Sequence, residues 1–471
     1  MPRRRWSIVA ASLLACANPA ARRGDTVIFA SGADLESINP LLTMHPLAHQ
    51  VQRYVLLTTL VRYDSALRVE PYLAKSWSWS PDSTSITFAL HAGVRWHDGA
   101  PTTAHDVTWT LDAARDPATG YPRFRDLASI SGVLAPDDST VRIVFDGPQS
   151  GIPDVLTDLA ILPEHLFRGI AHADLRSAPW NQVPLGNGPF RFVSHTPNRR
   201  WVFDADSTFP TSLGGPPRIH RLVIAVVDEP TTKLAALTSG ELDFAGIQPA
   251  HASFVRRDPQ LHVIEYPLLY TYCVIFNTRR APFTDPAVRR AVSLALDRRA
   301  IVDGYLFGFA TPATGPIASD TGAPPPDIAG ARALLAGRPI RFELLTVGSG
   351  EAALEQMIQS QLARAGITVT IRQLELASYL DRVNGPGHDF EAAVLGFSGD
   401  ADHGELAPLL ATSGIDRSGP PDTLLRIFSD SVPAAFLYHA RGVQGANRRV
   451  TGVRMDYRGE MPSILDWRVT R

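Results

Sequence analysis

Two stretches of the chain show the same order of hydrophobic patterns. In the first, residues 221–227, which are all apolar after Arg221, predict a buried strand. Apolar positions at helical spacing over 229–239 predict a helix that Gly240 ends, and 242–247 predict a second strand. This strand–helix–strand order is typical of an α/β unit with parallel strands.

The second stretch lies nearer the C-terminus. Residues 340–346 predict a strand, 352–365 a helix that Gly366 ends, and 367–371 and 390–397 two further strands. Because the order repeats that of the first stretch, we expect two α/β lobes with largely parallel sheets.

Residues 76–145 follow a different pattern. Apolar and polar residues alternate here with a period of two, around turns at Pro81-Asp82 and Asp137-Asp138. This alternation predicts a region rich in antiparallel strands between the N-terminus and the first α/β stretch.

Composition is typical of a soluble globular protein of roughly three domains or lobes at about 150 residues each. The 471 residues are 45% hydrophobic and 20% charged, with a formal net charge of −2. The absence of a basic excess argues against a nucleic-acid partner. Lysine occurs only at Lys75 and Lys233, which we interpret as an effect of genome composition.

The N-terminus has the pattern of an export signal. Three arginines at 3–5 precede an apolar run at 6–15, which is too short to span a bilayer. No other apolar run approaches the ~20 residues of a transmembrane helix. We therefore expect a signal peptide at 1–15 and an exported body.

The end of this apolar run suggests a lipid anchor. Its last residues, Leu-Leu-Ala-Cys at 13–16, resemble the bacterial lipobox, in which cleavage precedes a cysteine that then carries a diacylglycerol. This predicts lipidation of Cys16 and a tether at 16–26. The alternative is a plain secretory peptide cut near Ala17 or Ala21. With Cys273 as the second cysteine, the chain has no disulfide framework.

Five groups of residues occur in a fixed order along residues 27–400. They are PYLAKSW at 71–77; FALHAGVRWHDG at 88–99 with TAHDV at 103–107; LGNGPF at 185–190; a central block of FN at 276–277, PFTD at 282–285, VRRA at 288–291 and DR at 297–298; and GFSGD at 396–400. Together they resemble the signature of family 5 extracellular solute-binding proteins. These are the peptide, nickel and oligosaccharide receptors of ABC importers.

The resemblance implies a periplasmic-binding-protein-like α/β fold with two lobes joined by a hinge and a ligand enclosed between them. The implied segments are lobe I at 27–55, 185–270 and 439–471, a β-rich insertion subdomain of lobe I at 56–184, and lobe II at 271–438.

The resemblance also points to a ligand anchor. In dipeptide and oligopeptide receptors of this kind, the aspartate of the last motif binds the N-terminal ammonium of the peptide. We therefore expect Asp400 to bind a cationic group, with Phe397 and Ser398 of the same motif beside it. Asp400 follows a predicted strand, and open α/β sheets bind ligands at the carboxyl ends of their strands. A solvated loop aspartate is the alternative.

Three more candidates lie where the chain should cross between the lobes. Tyr270, Tyr272 and Asn277 surround the start of the central block. The tyrosines are placed either to stack on a ligand or to pack into the hinge.

Two departures from the family pattern affect the expected ligand. Dipeptide receptors clamp the ligand carboxylate with an arginine just before the helix predicted at 352–365, but residues 345–351 contain none. This favours a longer peptide, or another cationic or neutral solute, over a free dipeptide. Residues 410–428 are shorter and less regular than in most relatives, so we expect a more open pocket.

We expect no catalytic residue, cofactor or metal. The chain has no nucleophile elbow, phosphate-binding loop, dinucleotide fingerprint or zinc-protease motif. Asp400, Asp402, His403 and Glu405 offer oxygen and nitrogen ligands, but their spacing matches no calcium loop. We interpret His97, in the His-Asp-Gly turn, as structural.

The predicted protein is a lipid-anchored, extracytoplasmic substrate-binding subunit of an ABC importer. It would capture a small peptide and deliver it to a permease and its ATPase subunits, acting as a monomer on the cell envelope. The alternatives are the same fold binding a non-peptide solute, or acting as a transporter-independent sensor or chaperone. A secreted hydrolase has no supporting motif.

Overall fold

The structure, a computed structural model, describes residues 24–43, 45–316, 323–398 and 431–470. Its strands are β1 (Thr26–Ser31), β2 (Val61–Tyr63), β3 (Val69–Pro71), β4 (Ala74–Trp79), β5 (Ser85–Leu90), β6 (Ile130–Asp137), β7 (Thr140–Phe145), β8 (Phe190–Thr196), β9 (Arg200–Ala205), β10 (Arg221–Val226), β11 (Phe244–Gly246), β12 (Leu261–Phe276), β13 (Ala310–Pro312), β14 (Ile340–Val347), β15 (Ile367–Leu374), β16 (Ala392–Ser398), β17 (Ala434–Asn447), β18 (Val450–Thr451) and β19 (Arg468–Val469). Its helices are α1 (Pro46–Val51), α2 (Ala104–Arg115), α3 (Val155–Asp158), α4 (Glu164–Phe167), α5 (Pro230–Thr238), α6 (Ala252–Arg257), α7 (Pro286–Ala295), α8 (Arg298–Tyr305), α9 (Ile328–Leu335), α10 (Ala353–Ala363) and α11 (Leu376–Asn384).

Within these residues, one mixed sheet of eleven strands runs through both lobes. Its order is β15-β14-β16-β12-β17-β11-β1-β10-β9-β8, and β13 pairs with β17 beside this path. Lobe I contributes β1 and β8 to β11, and lobe II contributes β13 to β16. The two longest strands, β12 and β17, belong to both lobes and pair with each other across them.

The prediction of largely parallel sheets is correct for only part of this sheet. The groups β10-β1-β11 and β15-β14-β16 are parallel. The remaining pairs are antiparallel, because β12 and β17 carry the chain between the lobes in opposite directions and β8 and β9 form a hairpin. Each lobe therefore has a parallel group at the side of an antiparallel centre.

The predicted α/β elements are present with small shifts at their ends. The strand at 221–227 is β10, the helix at 229–239 is α5, and the strand at 242–247 is the shorter β11. In lobe II, the predicted strand at 390–397 is β16.

The region predicted to be β-rich contains a four-stranded antiparallel sheet in the order β4-β5-β7-β6. Its buried side chains, such as Phe88 and Ile143, share one continuous core with lobe I. A largely buried carboxylate, Asp158, adds an ionic contact to this junction by pairing with Arg53 and, at 3.0 Å, with Arg123.

Lobe II packs side chains on both faces of its sheet. Alternate residues of β12 point to opposite faces, so Val274 and Phe276 pack beneath α7 to α10 while Cys273 and Ile275 pack on the side of α11. Among the described residues, we find no helix long and apolar enough to cross a membrane.

Candidate functional site

The carboxyl ends of the parallel strands in the two lobes face each other along β12. In lobe I, Gly246 at the end of β11 pairs with Gln444 of β17, which pairs in turn with Ile264 of β12. In lobe II, Ser398 at the end of β16 pairs with Tyr270 of β12. Open α/β sheets bind ligands at such carboxyl edges. The interval 264–270 of β12 therefore separates two binding edges that point toward each other.

The size of this interval suits a small solute or a short peptide. The six residue steps from 264 to 270 correspond to roughly 20 Å along an extended strand. The first of two register shifts in the β12–β17 pairing, between Pro267 and Thr271, begins in this interval, and the second lies between Tyr272 and Cys273.

Three tyrosines lie together at the lobe II side of the interval, of which Tyr438 is buried in the core of lobe II. The rings of Tyr270 and Tyr272 meet edge-on, with centroids 5.3 Å apart, and Tyr272 stacks on Tyr438 at 4.8 Å. Tyr270 is the accessible member, with 37% of its surface exposed. Burial raises the pKa of both Tyr272 and Tyr438, which keeps these phenols neutral. The accessible part of this group is therefore the ring of Tyr270, with Tyr272 and the buried Tyr438 packed behind it.

The exposed ring of Tyr270 lies over a glycine of the neighbouring strand. A Cβ added to Gly396 of β16 would come within 2.6 Å of Cε1 of Tyr270. Gly396 belongs to the motif at 396–400, so the missing side chain in this motif provides the space for the tyrosine.

The other candidates from the sequence occupy different surroundings. Phe397 is 5% exposed and packs near Phe436, on the face of the sheet opposite Gly396, because neighbouring strand residues point to opposite faces. Asn277 follows the end of β12 where Phe276 pairs with Ala392, at the amino end of β16 and away from the binding edge. Its amide donates to the carbonyls of His388 (2.8 Å) and Phe390 (3.0 Å).

The structure thus brings Tyr270 and Tyr272 together with the backbone of Ser398 and places Phe397 and Asn277 elsewhere. Asp400 and Cys16 lie outside the described residues, so their roles stay predictions. Tyr438 is not among the residues predicted from the sequence, because its separation of more than 160 residues from Tyr272 gives no sequence signal of their stacking.

His97 has the structural surroundings expected of it. Its Nε2 lies 2.9 Å from the carbonyl of Gly188, and its backbone N–H donates to the carbonyl of Gly186 at 2.8 Å. Burial lowers the pKa of His97 to about 4, so the imidazole is neutral near pH 7. The side chain joins the insertion subdomain to the turn at 185–190.

No group of metal-binding side chains is found in the part of the chain that the structure describes. Cys273 is buried in lobe II, and burial raises the pKa of its thiol, as suits a small core residue.

Comparison with known proteins identifies relatives along most of the chain. A protein of Brucella ovis that carries the name of an ABC transporter peptide-binding protein is 32% identical over 357 residues, covering 72% of this chain and 67% of the relative. The glutathione-binding protein GsiB of Pectobacterium atrosepticum is 28% identical over 438 residues, covering 89% and 83%.

Solved structures share the fold. The ABC transporter substrate-binding protein CtaP of Listeria monocytogenes superposes with a TM-score of 0.83 at 20% identity, covering 96% of this chain and all of that chain. The oligopeptide-binding protein AppA of Bacillus subtilis, solved with a nonapeptide, gives a TM-score of 0.73 at 20% identity, covering 95% and 99%.

The family model described as bacterial extracellular solute-binding proteins, family 5, middle region, matches residues 68–416, about three quarters of the chain. This match, together with the two-lobed fold and the facing edges, agrees with the motifs noted in the sequence. The chain belongs to the family 5 bacterial extracellular solute-binding proteins.

Proposed function

We propose that this protein captures a peptide between its lobes outside the cytoplasm and delivers it to an ABC permease and its ATPase subunits. The observation that carries the proposal is the pair of carboxyl edges that face each other across residues 264–270 of β12. A peptide is favoured as the solute because the Brucella relative is named for peptide binding and the Pectobacterium relative for glutathione, a tripeptide.

The mechanism is capture without chemistry. A solute that contacts both edges binds the closed arrangement more tightly than the open one and shifts the population toward closure. The irregular pairing between Pro267 and Thr271 is where β12 can bend with the least disturbance of regular ladder. The transporter would then recognise the closed form.

The proposed contacts come mainly from lobe II. Tyr270 and Tyr272 supply the aromatic surface, and Asp400, two residues beyond the end of β16, supplies a carboxylate for the peptide ammonium. Residues 345–351, which carry no arginine, leave the far end of the peptide without the usual clamp. This favours a peptide longer than two residues.

Native mass spectrometry of protein purified without refolding is the direct test of the solute class. Retained peptide, followed by micromolar or tighter calorimetric binding of that peptide, supports the proposal. A retained non-peptide solute, with no heat from trialanine or glutathione, would replace it with the same fold serving another ligand. Small-angle scattering should show a more compact protein with bound ligand.

The role of Asp400 can be tested by removing its charge alone. Because loss of one partner from a desolvated charge pair costs about 2–5 kcal/mol, Asp400→Asn should weaken peptide binding at least about tenfold. Asp402→Asn serves as the matched control, since it removes a neighbouring charge from the same stretch. Equal affinities for the Asp400 variant and the wild type would remove Asp400 from the site.

The anchor is a separate proposal. Cys16→Ser should move the protein from the membrane fraction to the soluble exported fraction, because acylation requires the thiol. A wild-type protein that is already soluble and starts beyond Cys16 would exclude lipidation. Sedimentation of the Cys16→Ser protein should give the mass of a monomer.

A further inference from the structure

One basic side chain lies at the lobe I edge, opposite the tyrosines. Lys233 belongs to α5, which follows the carboxyl end of β10, and its ammonium lies above Gly32, which follows the carboxyl end of the neighbouring parallel strand β1. A Cβ at Gly32 would be 3.3 Å from Nζ of Lys233. Gly32 is exposed. The ammonium therefore lies at an accessible point of the edge where ligands of such sheets bind.

Among the residues that the structure describes, none neutralises the charge of Lys233. In the described ranges, no carboxylate, carbonyl or hydroxyl forms a hydrogen bond or ion pair with the Lys233 ammonium. The acidic residue four positions earlier, Glu229, caps the start of α5, where its carboxylate accepts from the backbone of Thr231 (3.0 Å) and Thr232 (2.6 Å). The edge thus carries an available cation.

The choice of lysine at this position is unusual for the chain. Lysine occurs only twice among 45 basic residues, and the other one, Lys75, is exposed on β4 in the insertion subdomain. An ammonium is a compact point charge with three donors, whereas a guanidinium is a larger planar fork. At Gly32, which has no side chain, the ammonium approaches to 3.3 Å of where a Cβ would stand.

We propose that Lys233, above the open backbone of Gly32, forms a carboxylate-binding subsite on lobe I. The subsite pairs with a carboxylate of the captured solute, either the C-terminus of a peptide or an acidic side chain. This inference rests on the proposed peptide-capture function. It supplies, from the opposite lobe, the anion contact that residues 345–351 lack.

A cationic subsite on lobe I and an acidic one on lobe II would make closure depend on the ligand. A solute with separated positive and negative groups neutralises both edges only when the lobes approach each other. Closure then removes these charge pairs from water, and the pairs are stronger in the less polar space between the lobes. A solute with only one of the two groups stabilises one edge and gains less from closure.

The experiment is a calorimetric comparison of four peptides with the full-length protein. Trialanine and trialanine amide differ only in the C-terminal carboxylate. Ala-Glu-Ala amide and Ala-Gln-Ala amide differ only in a side-chain carboxylate. The variants are Lys233→Met, Lys233→Arg and, as a matched control for loss of a lysine charge, Lys75→Met.

We expect the wild type to prefer one carboxylate-bearing peptide over its neutral partner by about tenfold or more, the range of a hydrogen bond to a charged group. Lys233→Met should abolish this preference without weakening the neutral peptide, Lys233→Arg should keep part of it, and Lys75→Met should keep all of it. A preference in the first peptide pair assigns the C-terminus, and one in the second pair assigns the side chain.

Contrary results separate this inference from the proposed function. If the wild type binds peptides without a carboxylate preference, or if Lys233→Met keeps the preference, the subsite is refuted while peptide capture stands. If none of the four peptides nor glutathione binds, the proposed function fails and the subsite with it. Gly32→Ala is a second, independent variant: its methyl group crowds the ammonium and should reduce the preference less than Lys233→Met does.

Discussion

The loop that follows β1 is held by Asp34, and removing this side chain should destabilise the protein in a way that the structure specifies. The Oδ1 atom of Asp34 accepts from the indole N–H of Trp201 at 2.7 Å. Its Oδ2 accepts from the backbone N–H of Asn198 at 2.6 Å and lies 3.1 Å from Nε2 of His195. These three contacts of Asp34 join the loop to the β8–β9 hairpin and fix the backbone two residues after Gly32.

The Trp201 bond determines most of the expected cost. Trp201 is 2% exposed, so its indole N–H has no access to water once its acceptor is removed, and an unsatisfied buried donor costs about 1–3 kcal/mol. The Asn198 and His195 donors lie nearer the surface and can turn to water. We therefore expect Asp34→Ala to lower the free energy of unfolding by about 2–3 kcal/mol. Asp34→Asn should cost about 1 kcal/mol, because its amide oxygen still accepts from the indole.

The pH dependence has a defined sign. Burial raises the pKa of Asp34, but the hydrogen bonds from Trp201, Asn198 and His195 outweigh it and hold that pKa below the ordinary value of 3.8. A lowered pKa means that the carboxylate stabilises the folded state at pH values above 3.8 and that this stability is lost as the pH falls through the folded pKa. The difference in the free energy of unfolding between the wild type and Asp34→Asn should therefore be largest at neutral pH and should disappear in acid.

Urea denaturation at neutral and acidic pH measures these differences. Asp138→Ala is the control, because its carboxylate is 83% exposed and its loss should change stability by less than about 0.5 kcal/mol. The reasoning is refuted if Asp34→Ala behaves like this control. It is also refuted if the Asn variant loses as much as the Ala variant, since the Trp201 bond would then not be the important one.

Three further substitutions test contacts at the junctions between lobe I and its neighbours by urea denaturation. Phe309→Ala should cost about 3–5 kcal/mol, because this lobe II ring is 5% exposed and packs in the core of lobe I; a loss below 1 kcal/mol would contradict the packing. Gly442→Ala should cost about 1–3 kcal/mol, because its Cβ would fall 2.0 Å from Cζ of the buried Tyr266 ring; a neutral effect would exclude this contact. Asp158→Asn should cost about 3 kcal/mol by leaving Arg53 unpaired, and an Asp158→Asn protein as stable as wild type would show that the pair contributes nothing.

The strands and helices of each lobe were predicted well because the patterns that indicate them involve only residues close together in the sequence. The apolar run of β10 and the helical spacing of α5 depend on neighbours within a few residues. The sequence did not predict that β12 continues for 16 residues through both lobes, because Pro267 interrupts its pattern. The error about largely parallel sheets follows from missing this strand and its antiparallel partner β17.

The site was harder to predict because it depends on which face and which end of a strand a residue occupies. Phe397 and Gly396 are adjacent in one motif, yet the alternation of strand faces places only Gly396 beneath Tyr270. Asn277 is seven residues from Tyr270, and this length of strand carries it to the opposite end of β16. Lys233 and Gly32 are about 200 residues apart, and only the parallel pairing of β1 with β10 brings them to one edge.

The place of the hinge follows from how tightly each side of it is packed. On the lobe I side, Tyr266 lies over Gly442 of β17; on the lobe II side, Tyr270 lies over Gly396 of β16. Each tyrosine fixes β12 to a neighbouring strand of its own lobe. Between them the pairing with β17 shifts register, so that three residues of β12 oppose one of β17. Because Pro267 has no N–H to donate to the ladder, bending at this point disturbs less regular pairing than bending within the uninterrupted ladder from Leu261 to Pro267.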